Sequence, residues 1–186
     1  MPTESQTATV VRPTSERPPA SAGVMTRGVM GTIIVGVLIL DQLTKLLVRS
    51  EIALHDSIEI VPGFLNLVHV RNTGAAFGFL NAVDLGFKQL LMTVIALVAL
   101  AAIGIFASRV GSRETLTRAG LALILGGAVG NLIDRATAGY VIDFVDVYWR
   151  TYHFWAFNVA DSAITVGACL LILDMFVVSR DVSTSV

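Results

Sequence analysis

The sequence predicts an all-α polytopic membrane protein: four transmembrane helices, with a small extracytoplasmic β-sheet between the first and second. Three observations carry that prediction. Of the 186 residues, 54% are hydrophobic and 15% charged, against about 25% charged in soluble globular proteins, and the mean hydropathy is +0.75. Four apolar stretches approach the roughly 20 helical residues that a hydrocarbon core about 30 Å thick requires. The long connection after the first of them contains β-type runs around a Pro-Gly pair.

The elements follow in chain order. Residues 1–23, "MPTESQTATVVRPTSERPPASAG", are rich in Pro, Ser and Thr and have little to bury, which predicts a disordered tail. The membrane domain then runs over 24–180, with 181–186 as a C-terminal tail. The first span covers about 25–48; a cleavable signal peptide is a poorer reading, because the run ends in "DQLTK" without a small-residue cleavage site and further spans follow. Residues 50–80 form the outer β-structure, where Pro62-Gly63 suits a type II turn. Phe64, Leu65, Phe77, Phe79 and Leu80 are expected to pack against the spans rather than enter the lipid interface. The remaining spans are 87–107, 118–136 and 157–178. Basic residues in short loops stay on the cytoplasmic side. Arg109, Arg113 and Arg118 between spans two and three, with Arg27 and Arg180 at the flanks, therefore predict both termini inside and the connections 49–86 and 137–156 outside.

Several function classes are excluded by composition. A net charge of −1 offers no electrostatic footprint for nucleic acid. The single Cys169 permits neither a disulfide framework nor a Cys zinc site and reads as a small buried hydrophobe. His55, His69 and His153 are scattered, with no metal-ligand spacing. Ser162, beside Asp161, has no base at a persuasive distance in sequence. The glycines of "LGGAVGN" lie inside an apolar span, where close helix packing explains them better than phosphate binding.

What remains is a set of polar residues at the outer ends of the spans. Asp41, Asn131 and Asp161 fall at that depth, and Asp143 and Asp146 lie in the outer connection. Asp174, about 20 Å from Asp161 along the fourth span, belongs at the inner headgroups and has no assigned role. Each residue has a structural reading of its own. Asn158 followed by Asp161 resembles a capped helix start, and taken alone capping is the favoured reading. Asp41 and Lys45 form an i, i+4 ion pair. Arg135 can reach for headgroups. Their clustering on one side is what those readings leave unexplained, since polar groups at membrane depth are expensive and usually functional. A proton or substrate pathway would need polar groups through the full thickness, and the inner halves of the spans are apolar. Two aspartates brought within about 3 Å share a proton, so that one activates water while the other protonates the carbonyl or leaving amine. Asp161 with either Asp143 or Asp146 is the candidate pair.

The motifs "DQLTK", "RNTGAAFG", "GGAVGNLIDR", "VIDFVDV" and "FNVADSAI", in that order over about residues 30–178, closely resemble the lipoprotein signal peptidase (signal peptidase II) family. The resemblance implies a bacterial inner-membrane aspartyl endopeptidase. It would remove signal peptides from diacylglyceryl-modified prolipoproteins just before the lipidated cysteine, with no metal or organic cofactor, and be open to globomycin-type inhibitors. By motif position the catalytic pair is Asp143 and Asp161. Asp41, Lys45, Asn72, Gly127, Asn131, Asp134, Arg135 and Asn158 would shape the site or hold substrate. The expected partners are lipid-modified precursors and membrane lipids, with the chain as a monomer. Asn72, Asn131 and Arg135 are expected to meet substrate carbonyls, and the loop "RNTGAAFGFL" to move as a cover.

Overall fold

Thr26 opens the first helix, its hydroxyl accepting from the Val29 amide at 3.3 Å and so satisfying one of the free donors of the first turn. The structure is a computed structural model that describes residues 23–74 and 87–183. The expectations for the N-terminal tail, for Phe77, Phe79 and Leu80, and for a moving cover beyond Gly74 lie outside the described residues. Helix α1 (Arg27–Glu51) is followed by strands β1 (Ser57–Val61) and β2 (Leu65–Asn72). Then come helices α2 (Lys88–Arg109) and α3 (Thr115–Ala138), strands β3 (Val141–Trp149) and β4 (Tyr152–His153), and helix α4 (Val159–Ser183). All four helices are long and apolar enough to cross a membrane. Each expected span is present, with ends displaced by a few residues. Those displacements have local causes: Gly139, at φ 80°, ends α3 by donating its amide to the Arg135 carbonyl at 3.1 Å, and Asn158 starts α4.

Helix α3 is the axis of the bundle, packing against the other three helices. Half of its membrane window is buried, against 6–17% for the others. Their outward residues, such as Leu90, Val98, Met175 and Phe176, are 64–71% exposed and face where lipid lies. Close approach is what the glycines of α3 provide. A Cβ on Gly126 would meet Val37 of α1, one on Gly127 the Ala160 carbonyl of α4, and one on Gly130 the Asp41 carboxylate. Cys169 departs from expectation: it is exposed, because Gly167 faces α3 and two residues further round a helix is a turn of roughly 200°. Arg118 also differs, lying within α3 and buried rather than in the loop before it. Its guanidinium donates to the Met25 carbonyl at 2.7 Å, tying the start of α1 to that end of the bundle. Nearby, Asp174 accepts a hydrogen bond from the Thr117 hydroxyl.

The sheet sits at the other end of the bundle. Its order is β1-β2-β3-β4, all antiparallel. Gly63 at φ 76° turns the first hairpin, closed by the Phe64 amide on the Val61 carbonyl at 3.0 Å. The sheet is wider than a connection-one structure, since β3 and β4 come from the connection between α3 and α4. "VIDFVDVYW" carries β-branched and aromatic residues suited to a strand. Ile142 and Phe144 pack with Val48 and Ile52 of the α1 end, fixing β3 against the bundle.

Candidate active site

Asn158 caps α4 in both directions. Its side-chain oxygen accepts from the Asp161 amide at 2.9 Å, while an Asp161 carboxylate oxygen accepts from the Asn158 amide at 3.3 Å, the reciprocal pattern of a capping box. The Asn158 side chain is fully buried. Its amide nitrogen lies 2.7 Å from Asp143 Oδ1, so one cap residue touches both aspartates.

Asp143 arrives from β3. Strand residues alternate faces, and Asp143 lies beside the cavity whereas Asp146, three residues on, is turned away from it. Asp146 instead accepts from Asn66 at 3.1 Å and pairs with His153 at 2.9 Å. The second oxygen of Asp143 accepts from Asn72 Nδ2 at 3.0 Å, reaching diagonally from β2. Burial first, and then the charge of Asp161, push the Asp143 carboxyl up to about 7, against the opposing pull of Asn72, Asn158 and Lys45.

Behind the pair lies a polar network. Asn131 Nδ2 donates to Asp161 Oδ1 at 2.8 Å, and Asn131 Oδ1 accepts from Lys45 at 2.8 Å. The Lys45 ammonium stands 2.8 Å from both Asp41 and Asp134. Asp41 accepts the Ala160 amide at 3.0 Å, anchoring α4 from α1. Gln42 bridges Asp41, Asp134 and the Gly130 carbonyl at 3.2–3.3 Å. Gln42 carries no signal in the sequence beyond its place next to an acid in "DQLTK". Arg135 donates to the Asn131 and Gly74 carbonyls at 3.3 Å and feels the charges of Asp161, Asp143 and Asp134. Four carboxyl groups therefore share two cations, an imbalance that one extra proton on Asp143 reduces.

Asp143, Asp161, Asn72, Asn131 and Arg135 line a cavity of about 720 Å³. The rest of its lining is mostly apolar, with Ala96, Leu100 and Ile103 of α2, Ile164 of α4, and Phe154 and Phe157, beside the hydroxyls of Ser162 and Thr165. A carboxyl pair at the polar end of a greasy cleft can perform acid–base chemistry on an apolar, extended substrate.

A family model described as signal peptidase (SPase) II matches residues 33–177. A lipoprotein signal peptidase of Geobacter metallireducens is 50% identical over 138 residues, 74% of this chain and 84% of that protein. The chain belongs to the signal peptidase II family. Another lipoprotein signal peptidase, from Maridesulfovibrio salexigens, is 45% identical over 146 residues, covering 78% of this signal peptidase II and 94% of its relative. Among solved structures, a bacterial membrane enzyme determined by the in meso method at 2.3 Å superposes with a TM-score of 0.75 at 32% identity, covering 88% of this chain and 94% of the other. This signal peptidase II is thus a multi-pass membrane peptidase. Asp41, Lys45, Asn131, Asp134, Asn158 and Asp161 form one connected network, which Asn158 joins to Asp143 and Asn72. Gly127 adds no side chain to that network and lies against the Ala160 carbonyl, where, with Gly120 and Gly167, it permits the close approach of α3 and α4. Asn72 and Asn131, expected to meet substrate carbonyls, each donate here to an aspartate.

Proposed function

We propose that this signal peptidase II is an aspartyl endopeptidase that cuts the signal peptide from diacylglyceryl-modified prolipoproteins just before the lipidated cysteine. The observation that carries the reading is that Asn158 hydrogen-bonds both Asp143 and Asp161 at the wall of one apolar cavity. In this reading Asp143 enters protonated and Asp161 as carboxylate. Asp161 takes a proton from water as the water oxygen attacks the scissile carbonyl, and Asp143 gives its proton to the carbonyl oxygen, forming a gem-diol. On collapse the Asp161 proton passes to the cysteine nitrogen, the C–N bond breaks, and a gem-diol hydroxyl returns a proton to Asp143. The proton belongs to the pair. Arg135, at the cavity wall, offers charge-assisted bonds to substrate carbonyls, and globomycin-type cyclic peptides would occupy the same cleft. The site would lie at the outer face of the inner membrane, where a transmembrane signal helix presents its lipid-bearing end.

The test follows a lipid-modified precursor with Asp143→Asn and Asp161→Asn made separately, after membrane insertion is confirmed. Each is expected to lower processing by about 10²-fold or more, the scale of a lost general acid or base. Arg135→Ala is expected to weaken processing and inhibitor sensitivity together. Near-normal turnover in either aspartate variant would sink the mechanism, and an unchanged Arg135→Ala would remove that residue from substrate binding.

A further inference from the structure

Arg49, in the last turn of α1, and Arg71, on β2, reach the same aromatic ring. Their guanidinium carbons lie 5.9 and 4.5 Å from the centroid of Tyr140. Both side chains are exposed. Among the described residues the ion pairs are those of Lys45 with Asp41 and Asp134 and of His153 with Asp146, so neither arginine has a carboxylate partner. Two cations drawn to one ring repel each other, and the ring's negative face offsets only part of that repulsion. An anion between them would convert it into charge-assisted hydrogen bonds, and the guanidinium fork matches a phosphate.

Arg49 also forms the rim of a second cavity of about 370 Å³, which shares no lining residue with the aspartate cleft. Ile39, Leu43 and Leu46 make its wall, each more than half exposed, and Gln42, Lys45 and Asp134 make its floor. The α1 residues recur at spacings of three and four and so form one stripe. From Ile39 to Arg49 that stripe rises about 15 Å at 1.5 Å per residue, half of a hydrocarbon core about 30 Å thick. An apolar wall one leaflet deep that ends at Arg49, with Arg71 on the same Tyr140 ring and neither bearing a carboxylate partner among the described residues, has the dimensions and charge order of a phospholipid.

We propose that the groove along Ile39, Leu43 and Leu46 binds one anionic phospholipid, with its phosphodiester held by Arg49 and Arg71. The acyl chain covers the floor at Lys45 and Asp134 and so shields the network behind the aspartates from its lipid side. The diacylglyceryl group of a lipoprotein carries no phosphate, so this site is distinct in chemistry from the substrate cleft.

The test uses the full chain, stripped of lipid in a neutral detergent, with bound lipid counted by native mass spectrometry. Phosphatidylglycerol is expected to bind at one per chain and more tightly than phosphatidylcholine. Arg49→Gln with Arg71→Gln should weaken it by about tenfold or more, the scale of a lost charge-assisted hydrogen bond, while Arg150→Gln at the β3–β4 turn leaves it unchanged. Equal retention by wild type and the double variant, or equal binding of the two lipids, overturns the proposal. Displacement of the lipid by inorganic phosphate alone would assign the arginines to a soluble anion and overturn it as well. Should the double variant fail to fold, a photoactivatable phosphatidylglycerol on the wild-type chain decides the question. Adducts concentrated over residues 39–49 support the site, and adducts spread evenly over the four helices refute it.

Discussion

Asp161 serves two purposes through one carboxyl group: it closes the capping box of α4 with Asn158 and faces Asp143's cavity. Capping and the proposed chemistry, opposed readings in the sequence, are compatible because a carboxylate has two oxygens with about four acceptor sites. In the proposed mechanism Asp143 then governs the pH behaviour. An exposed aspartate ionises near 3.9, whereas burial and Asp161 push Asp143 up to about 7. Between those values the folded protein holds a proton that the unfolded chain has released. Its contribution to stability is therefore lost as pH rises from about 4 to about 7 and is level above that. Turnover that needs the protonated acid should decline above about 7. The Asn72 amide favours the ionised form of Asp143, so Asn72→Ala should move that alkaline limb upward by roughly half to one pH unit, the worth of one neutral hydrogen bond. A pH profile of kcat/KM for precursor processing checks this, and a limb that stays put or moves to lower pH contradicts it.

At the scale of elements, contact between α3 and α4 depends on residues without side chains. A Cβ at Gly127 would strike the Ala160 carbonyl and come within 3.0 Å of Ile164, whereas one at Gly36 meets nothing within 4 Å. Gly127→Ala should therefore cost about 1–3 kcal/mol through overpacking, and Gly36→Ala should gain up to about 1 kcal/mol of helix propensity. Thermal unfolding midpoints in one detergent compare them, and equal shifts would mean that α3 and α4 approach less closely. The β3–β4 hairpin makes a second prediction. Trp149, Tyr152 and Trp155 are 59–71% exposed, and aromatic residues of this kind favour the boundary between hydrocarbon and water. The chain has two tryptophans, Trp149 at the end of β3 and Trp155 two residues after β4, so the emission of the native protein reports on this hairpin and the segment that leaves it. It should be blue-shifted and quenched by lipids brominated near the headgroup end. Water-like emission fully open to aqueous iodide would put the hairpin outside the bilayer boundary.

Across the whole molecule, the start of α1 and the α2–α3 loop are held together by the Met25 amide on the Ser112 carbonyl at 2.9 Å, at the end remote from the sheet. The arginine-rich loop predicts that this end faces the cytoplasm and that the aspartates face outward. Since Cys169 is the chain's one cysteine, a Cys169→Ser background allows single cysteines to be placed at Ser57 of β1 and at Ser112. A membrane-impermeant maleimide applied to intact spheroplasts should label position 57 at once and position 112 only after permeabilisation. The reverse pattern would invert the orientation.

Much of this protein is written in local chemistry. Span number follows from runs of apolar residues, because a bilayer demands a fixed length of satisfied backbone. The first hairpin follows from Pro62-Gly63, and the α4 start from Asn158 and Asp161. Tertiary structure alone decided the questions that hang on direction and partnership. Spacing along the chain leaves Asp143 and Asp146 equal and motif resemblance favours Asp143, but the physical difference between them comes from the seating of β3 against α1, which turns one toward the cavity and the other toward Asn66 and His153. Gln42 looks like any polar residue beside an acid until α3 brings Asp134 and the Gly130 carbonyl within reach. Sequence determines what each segment can bury or bond to by itself. Which carboxyl groups meet depends on contacts between residues from 15 to 119 positions apart, and these exist only once the helices and sheet have packed.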